Sequence, residues 1–108
     1  MSNVNDSFAA LADPTRRQVL EGLLAGPRPV TDLAKDLPVS RSAVSQHLRV
    51  LSDAGLVQSE RQGRHNFYQV DPAQLAALRS YFDDMWTRAL AAYAQAAEAQ
   101  YAKETRDD

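Results

Sequence analysis

Four polar side chains between residues 40 and 54 could form hydrogen bonds with a ligand from one side of a helix. An apolar stripe at helical spacing, formed by Val44, Leu48 and Leu51, predicts that this stretch is a helix with one buried side. Four side chains fall together on the opposite side: Ser42, Ser45, Gln46 and Arg49. Hydroxyl, amide and guanidinium groups hydrogen-bond to base edges and to phosphate oxygens. The pattern therefore predicts a recognition helix, with a merely solvated helix face as the alternative.

The two ends and the flank of this helix add further candidates. Ser40 is a suitable N-cap, and Gly55 stands just past the last turn, where a left-handed residue commonly closes a helix. Ser40 and Arg41 could hold a phosphate at the helix N-terminus. His47 lies beside the apolar stripe, as either a half-buried, hydrogen-bonded side chain or a contact to the DNA backbone. Arg49 could contact a guanine or a phosphate, and the sequence leaves both open.

The residues after Gly55 favour strands, because the apolar period changes there from 3.6 residues to 2. They predict a two-stranded wing at about 56–70, with a turn at 62–64 in which Gly63 can take a positive φ. Three basic residues near the wing tip are candidates for contact with the minor groove or the phosphate backbone: Arg61, Arg64 and His65. Ordinary solubilising charges are the alternative for all three.

Three shorter helices precede the recognition helix. Apolar spacing places them at about 4–12, 14–25 and 30–37. Asp13-Pro14 supplies a cap and a proline suited to the first position of the second helix, and Thr31 is the expected cap of the third. The third and fourth helices, joined by a short turn, predict a helix-turn-helix at about 30–54.

A long last helix is predicted at about 72–102, because Asp71-Pro72 repeats the cap-plus-proline signal and larger side chains recur near heptad spacing. The polar residues after 102 are expected to fray. A chain of this size has little core left to cover such a stripe, so we expect it to pair with a second copy, helped by the first helix. The predicted dimer interface consists of Phe8, Leu11, Leu75, Leu78, Phe82, Met85, Trp86 and Tyr93. A ligand pocket at Trp86 is the alternative.

The composition excludes several classes of function. The 108 residues suit one domain, and the absence of cysteine excludes disulfides, thiolate metal sites and cysteine nucleophiles. No apolar run approaches the ~18 residues of a membrane span, and the first residues lack the features of a signal peptide. We therefore expect a cytoplasmic protein without a membrane partner. Neither histidine accompanies a candidate nucleophile, and no phosphate-binding glycine loop is present, so we expect no enzymatic activity and no cofactor.

Charge is distributed unevenly along the chain. The formal net charge is −2, whereas residues 41–65 carry a net charge of +2 and contain both the predicted recognition helix and the wing tip. Arg16 and Arg17 lie outside this segment. For both we favour ion pairs with Asp13 and Glu21 over contact with DNA. The small positive excess predicts modest nonspecific affinity for DNA.

Four short stretches follow one another in a recognisable order: FAALADPTRR at 8–17, SAVSQHLRVL at 42–51, AGLV at 54–57, and RQGR at 61–64 followed by Tyr68. Together they resemble the ArsR/SmtB family of bacterial repressors. The resemblance implies a winged helix-turn-helix, a mainly α-helical fold of the α+β class with a β-hairpin wing and a long C-terminal helix. It also implies a homodimer that binds operator DNA and blocks transcription.

The metal-sensing members of that family have metal-binding residues that this sequence lacks. Their thiolate site would fall at 31–37, which holds neither cysteine nor histidine. The final helix offers Asp83, Asp84 and Glu98 but no histidine, whereas metals such as zinc favour nitrogen or sulfur donors in such sites. We therefore expect no metal site and no thiol redox response. The sequence does not identify an effector.

Two hypotheses about function remain from the sequence. The first is a homodimeric, sequence-specific repressor whose two recognition helices enter successive major grooves of a palindromic operator, roughly 34 Å apart. The second is a winged-helix module that binds another protein and not DNA. The net acidity favours the second hypothesis, and the polar helix face with its neighbouring basic hairpin opposes it.

Overall fold

The computed structural model describes residues 3–106, which form two units, one up to Leu78 and one from Arg79 onward. The elements in this part of the chain are α1 (Val4–Leu11), α2 (Pro14–Glu21), β1 (Arg28–Pro29), α3 (Val30–Lys35), α4 (Arg41–Asp53), β2 (Val57–Gln62), β3 (His65–Val70) and α5 (Pro72–Arg106). The first unit contains everything from α1 to the start of α5, and the second unit contains the remainder of α5. The helices and the two wing strands follow one another in the predicted order, and β1 is an additional strand that was not predicted.

Side-chain caps set where the helices begin. Asp13 accepts hydrogen bonds from two backbone N–H groups in the first turn of α2. The Ser40 hydroxyl oxygen accepts one from the Ala43 N–H at 3.1 Å, and Asp71 caps α5 in a similar way. These side chains satisfy N–H groups that have no partner inside the helix. The three caps predicted at Asp13, Ser40 and Asp71 are therefore confirmed.

The core of the first unit is built from the apolar sides of its helices and the residues that lead into the wing. Its largest fully buried apolar side chains are Val19, Leu23, Leu33, Val44, Leu48, Leu51 and Leu56. The predicted stripe of α4 is thus buried along its whole length. Each leucine contributes roughly 1.5–3 kcal/mol by leaving water. This burial fixes the rotation of α4 about its axis, and so determines which side chains α4 presents to solvent.

α2 is shorter than predicted and ends at Glu21. The N–H groups of Leu23 and Leu24 bond to carbonyls three residues earlier, which turns the chain away from the α-helical path. Gly22 permits close packing against α3, because a Cβ at this position would lie 2.9 Å from Cδ2 of Leu33. The turn buries Leu23 and leaves Leu24 62% exposed.

α3 also differs from its predicted bounds, and Thr31 does not cap it. Pro29 occupies the N-cap position, and no side chain caps this helix. Because Pro29 belongs to β1, the pairing of that strand determines where α3 begins. The helix ends at Lys35, two residues before the predicted end at 37.

The wing is part of a three-stranded antiparallel sheet in the order β1-β3-β2. β2 and β3 form the predicted hairpin, and Gly63 takes a φ of +63° in its turn. β1 adds two further pairs, Arg28 opposite Tyr68 and Pro29 opposite Phe67. A two-residue strand that contains a proline has no periodicity of its own, so its place in the sheet is set by tertiary pairing. The pairing ties the wing to the start of α3.

α5 begins at Pro72, as predicted, and extends to Arg106. The prediction that residues 103–108 fray was wrong for 103–106, which are helical, and its last two residues lie outside the described part of the chain. The Thr105 hydroxyl donates to the carbonyl of Tyr101 at 2.8 Å, which supports this last part of the helix. Exposed ion pairs one turn apart add roughly 0.3–0.5 kcal/mol each along α5.

Candidate nucleic-acid interface

The outer side of α4 carries the four predicted reading residues. All four are exposed, opposite the buried stripe: Ser42, Ser45, Gln46 and Arg49. The helix is held between the Ser40 cap and Gly55, which takes a φ of +80°. Within residues 3–106, none of the four side chains has a hydrogen-bond or ion-pair partner. Their donors and acceptors are therefore available to a ligand.

A polar groove of about 290 Å³ lies between α4, the wing and the start of α3. It brings together two predicted candidates from α4, Arg41 and Ser45, and two from the wing, Arg64 and His65. We term it the α4–wing groove. No carboxylate is among the residues that line it, so its side chains are basic or neutral.

The remaining predicted DNA contacts lie outside this groove. Ser42, Gln46 and Arg49 lie elsewhere on the exposed side of α4. Arg61 lies in the wing, where its Nε donates to the Gly63 carbonyl at 3.3 Å and so supports the turn. The predicted set therefore divides into the groove, the polar side of α4, and three residues outside both: Ser40, which caps α4, Arg61 in the wing turn, and half-buried His47.

Thr31 and Tyr68 also line the groove, and sequence reasoning did not select them as site residues. Thr31 was interpreted as a helix cap, and Tyr68 as one residue of an alternating strand. Neither residue lies in a local pattern that points to DNA. The pairing of β1 with β3 brings their backbones to the same side of α4, and that pairing is a tertiary feature.

His47 is half-buried on the flank of α4 and lies near the start of α2. The pKa of Asp13 lies below its usual value, chiefly because the Arg16 backbone N–H donates a hydrogen bond to the carboxylate. The Thr15 N–H and the charges of Arg16 and His47 lower this pKa further, while partial burial opposes them. His47 is half-buried, as one alternative predicted, but its ring has no hydrogen-bond partner among the described residues, and its contact with DNA stays a prediction.

Arg16 and Arg17 bind the end of α1. The Arg16 Nε donates to the Ala10 carbonyl at 2.7 Å, and an Arg17 Nη1 donates to the Leu11 carbonyl at 2.7 Å. These carbonyls have no partner inside the helix, so the two guanidinium groups act as C-terminal caps. Of the favoured ion pairs, the one between Arg16 and Asp13 is present only at 4.0 Å, and none joins Arg17 to Glu21 among the described residues. The bonds to the carbonyls were not predicted.

Large apolar side chains are exposed along α5 in the second unit. Phe82, Met85, Trp86 and Tyr93 belong to the predicted dimer interface, and Trp86 and Tyr93 are 66% and 76% exposed. A groove of about 560 Å³ lies along this surface, between Phe82, Met85, Trp86 and Ala89. We term these residues, together with Tyr93, the α5 apolar face.

The other predicted interface residues lie in the first unit and pack against its core. Leu78 is only 7% exposed, because it is one of the core residues of this unit. Phe8, Leu11 and Leu75 are partly buried against the same core. Leu78 therefore has little surface left for a partner, and contact between a partner and the other three stays a prediction.

The described residues contain neither a candidate metal centre nor a candidate membrane span. No group of three or more histidine, aspartate or glutamate side chains within residues 3–106 could hold a metal ion. In the same part of the chain, no helix has both the length and the apolar character needed to cross a membrane.

Comparison with known proteins identifies the family. The model of the family described as "Bacterial regulatory protein, arsR family" matches residues 13–59, which include α2, α3 and α4. The HTH-type transcriptional regulator Rv2034 of Mycobacterium tuberculosis is 56% identical over 89 residues, which are 82% of this chain and 83% of that protein. The chain belongs to the ArsR family. The resemblance seen in the sequence is thereby confirmed.

Other proteins similar to this ArsR-family chain agree with the fold. The transcriptional repressor SdpR of Bacillus subtilis is 32% identical over 72 residues, 67% of this chain and 80% of the repressor. A solution structure of Mb0332 from Mycobacterium bovis, described as a homodimeric winged helix-turn-helix DNA-binding domain, has a TM-score of 0.64. It is 28% identical, and the match covers 81% of each chain. The predicted winged helix-turn-helix fold is confirmed, in a family of DNA-binding transcription regulators.

Proposed function

We propose that this ArsR-family protein is a homodimeric transcriptional repressor that binds a palindromic operator in the cytoplasm. The observation that carries the proposal is the exposed polar side of α4, whose side chains have no partner within residues 3–106. Gln46 and Arg49 are of the types that make paired hydrogen bonds to adenine and guanine. The basic α4–wing groove lies beside them and supplies charge for the DNA backbone.

A second copy of the chain would cover the α5 apolar face. Aromatic side chains remove about 150–250 Å² each from water when they are buried, so an exposed row of them favours association. The Mycobacterium bovis protein described as homodimeric supports this assignment. A twofold axis would then present two copies of α4 to the DNA, which requires half-sites roughly 34 Å apart.

We further propose that DNA release does not depend on a metal ion. The chain has no cysteine, and its two histidines, His47 and His65, both lie outside α5. Sites for zinc, nickel or cobalt in proteins generally need such nitrogen or sulfur donors. Adding these ions, or a chelator, should therefore leave the operator affinity unchanged within about twofold.

The proposal is tested by selecting bound fragments from a random DNA library and measuring the affinity of the enriched sequence. The fragments should share an inverted repeat and bind one dimer each. The double variant Gln46→Ala/Arg49→Ala should lose about a hundredfold in affinity, because paired contacts to bases are each worth roughly 1–3 kcal/mol. Its loss should be much smaller on unrelated DNA, where backbone contacts dominate.

The matched control is Arg88→Ala/Gln95→Ala, which removes the same two residue types from exposed positions on α5. It should bind the operator as the unaltered protein does. A selection that enriches no sequence would contradict the proposal and favour the protein-interaction module.

A further inference from the structure

We propose that the α4–wing groove binds one phosphate of the DNA backbone, and that Thr31 and Tyr68 donate hydrogen bonds to it. This inference rests on the proposed function and divides the interface into two tasks. The groove would position the protein on the duplex, while Gln46 and Arg49 read bases.

The charge of the groove fits a phosphate. Arg41 enters it from α4, and Arg64 and His65 enter it from the wing. None of the three side chains has a hydrogen-bond or ion-pair partner within residues 3–106. With no carboxylate in the lining, nothing inside the groove neutralises the two guanidinium groups. Arginine and phosphate form short, charge-assisted hydrogen bonds of the strong kind.

The groove is also lined by residues with neutral donor groups. Three of them, Thr31, Ser45 and Tyr68, have hydroxyl side chains. Tyr68 is half-buried in β3, the central strand of the sheet, yet its hydroxyl has no partner within the described part of the chain. Because no buried side-chain oxygen or nitrogen among the described residues lacks a partner, this hydroxyl is open to solvent and can donate to a ligand. A phosphate diester, which accepts hydrogen bonds through its free oxygens, would be a suitable partner.

The construction of the groove makes it suitable for positioning. Its walls come from α3, α4 and β3, so one bound phosphate would contact both helices of the helix-turn-helix and the wing. At about 290 Å³ it lies at the small end of ligand pockets, which suits a single polar group better than a large organic ligand. We therefore expect the contact to be independent of base sequence.

The test combines two conservative substitutions with neutralised DNA. Each backbone phosphate of the selected operator is replaced in turn by an uncharged methylphosphonate. One position in each half-site should weaken binding by the unaltered protein about tenfold. The variant Thr31→Val/Tyr68→Phe should lose about tenfold on unmodified operator and on unrelated DNA alike. At the identified position, neutralisation should then cost this variant clearly less than the unaltered protein, although Arg41 and Arg64 still face that phosphate.

The control variant Thr87→Val/Tyr101→Phe removes the same two hydroxyl groups from α5 and should keep the full response to every neutralised phosphate. If Thr31→Val/Tyr68→Phe binds like the unaltered protein, or if its loss simply adds to the loss at every phosphate, the inference is overturned. Because neither hydroxyl has a partner within residues 3–106, both changes should leave the melting temperature unchanged.

A second arm uses inorganic phosphate and the backbone amide spectrum of the protein without DNA. Phosphate should shift amides that line the groove, and the shifts should weaken in Thr31→Val/Tyr68→Phe. If these shifts occur while no DNA sequence is selected, the groove binds phosphate but the proposed function is wrong. If phosphate shifts the groove while no neutralised position matters, its ligand is a free phosphate and the assignment to DNA is overturned. If phosphate shifts no amide of the groove and no DNA sequence is selected, both the inference and the proposed function are overturned.

Discussion

Two helices of this protein expose faces that their own unit leaves uncovered, and the chemistry of the two faces is opposite. The outer side of α4 carries hydroxyl, amide and guanidinium groups without partners within residues 3–106. The α5 apolar face carries Phe82, Met85 and Trp86. Polar side chains are well solvated by water, whereas burying a row of exposed aromatic side chains against a partner lowers the free energy. The first face therefore suits a polar ligand such as DNA, and the second suits another copy of the chain.

The arginines of the first unit divide in the same manner. Arg16, Arg17 and Arg28 donate to backbone carbonyls within the unit and hold elements together. Arg49 and Arg64 have no such partners among the described residues. Arginines of the same charge can therefore have different roles. An arginine with hydrogen-bond partners inside the unit stabilises the fold, whereas one without such partners is available to bind DNA.

The largest effect is expected from Trp86→Glu, which would place a charge in the centre of the α5 apolar face. The dimer should dissociate into monomers, and operator affinity should fall at least about a hundredfold, because each half-site then binds alone. Sedimentation equilibrium and DNA titration measure the two quantities. Thr87→Glu adds the same charge at the neighbouring exposed position and should stay dimeric. A Trp86→Glu protein that remains a dimer would show that α5 pairs elsewhere.

A smaller effect should separate the two kinds of arginine. Arg64→Ala should weaken DNA binding about tenfold without changing the free energy of unfolding. Arg28→Ala should lower that free energy by roughly 1–2 kcal/mol, because Arg28 binds Asp36 at 2.6 Å and the carbonyls of Gly22 and Asp32. Urea unfolding and DNA titration of both variants check this contrast. The division fails if Arg64→Ala unfolds more easily than Arg28→Ala.

The smallest effect concerns Asp13, at the start of α2 near His47. Because folding lowers the pKa of its carboxyl, ionised Asp13 stabilises the fold above the unfolded pKa of about 4, and this contribution is lost as pH falls through the folded value. Asp13→Asn keeps a good N-cap but removes the charge. Its melting temperature should lie below that of the unaltered protein at pH 7, and the difference should shrink below pH 4. A difference that grows on acidification would contradict this sign.

Local signals in the sequence were sufficient for much of the fold. The cap at Ser40, the stripe through Leu48 and the glycine at 55 defined α4, because each is a short-range feature of one helix. The hairpin followed from a change of period and from Gly63 in its turn. The polar, exposed side of α4 was predicted for the same reason, because burial of the apolar stripe determines which side chains face solvent.

The features that the sequence did not reveal depend on contacts between distant residues. β1 forms only because Arg28 and Pro29 meet β3, and this pairing helps bring Thr31 and Tyr68 to the α4–wing groove. Leu78 fits the heptad pattern of its helix, yet it is buried in the core of the first unit. Apolar periodicity predicts that a side chain will be buried. It does not show whether the side chain is buried by its own chain or by a partner.

We propose that α4 and the wing form the surface that binds DNA. The most direct test is the backbone amide spectrum of the full chain, recorded as the selected operator is added. The largest shifts should occur at 40–49 and 61–68, while the exposed amides of α5 after residue 79 should change little. If the largest shifts lie on the α5 apolar face and the amides of α4 stay in place, the claim is contradicted.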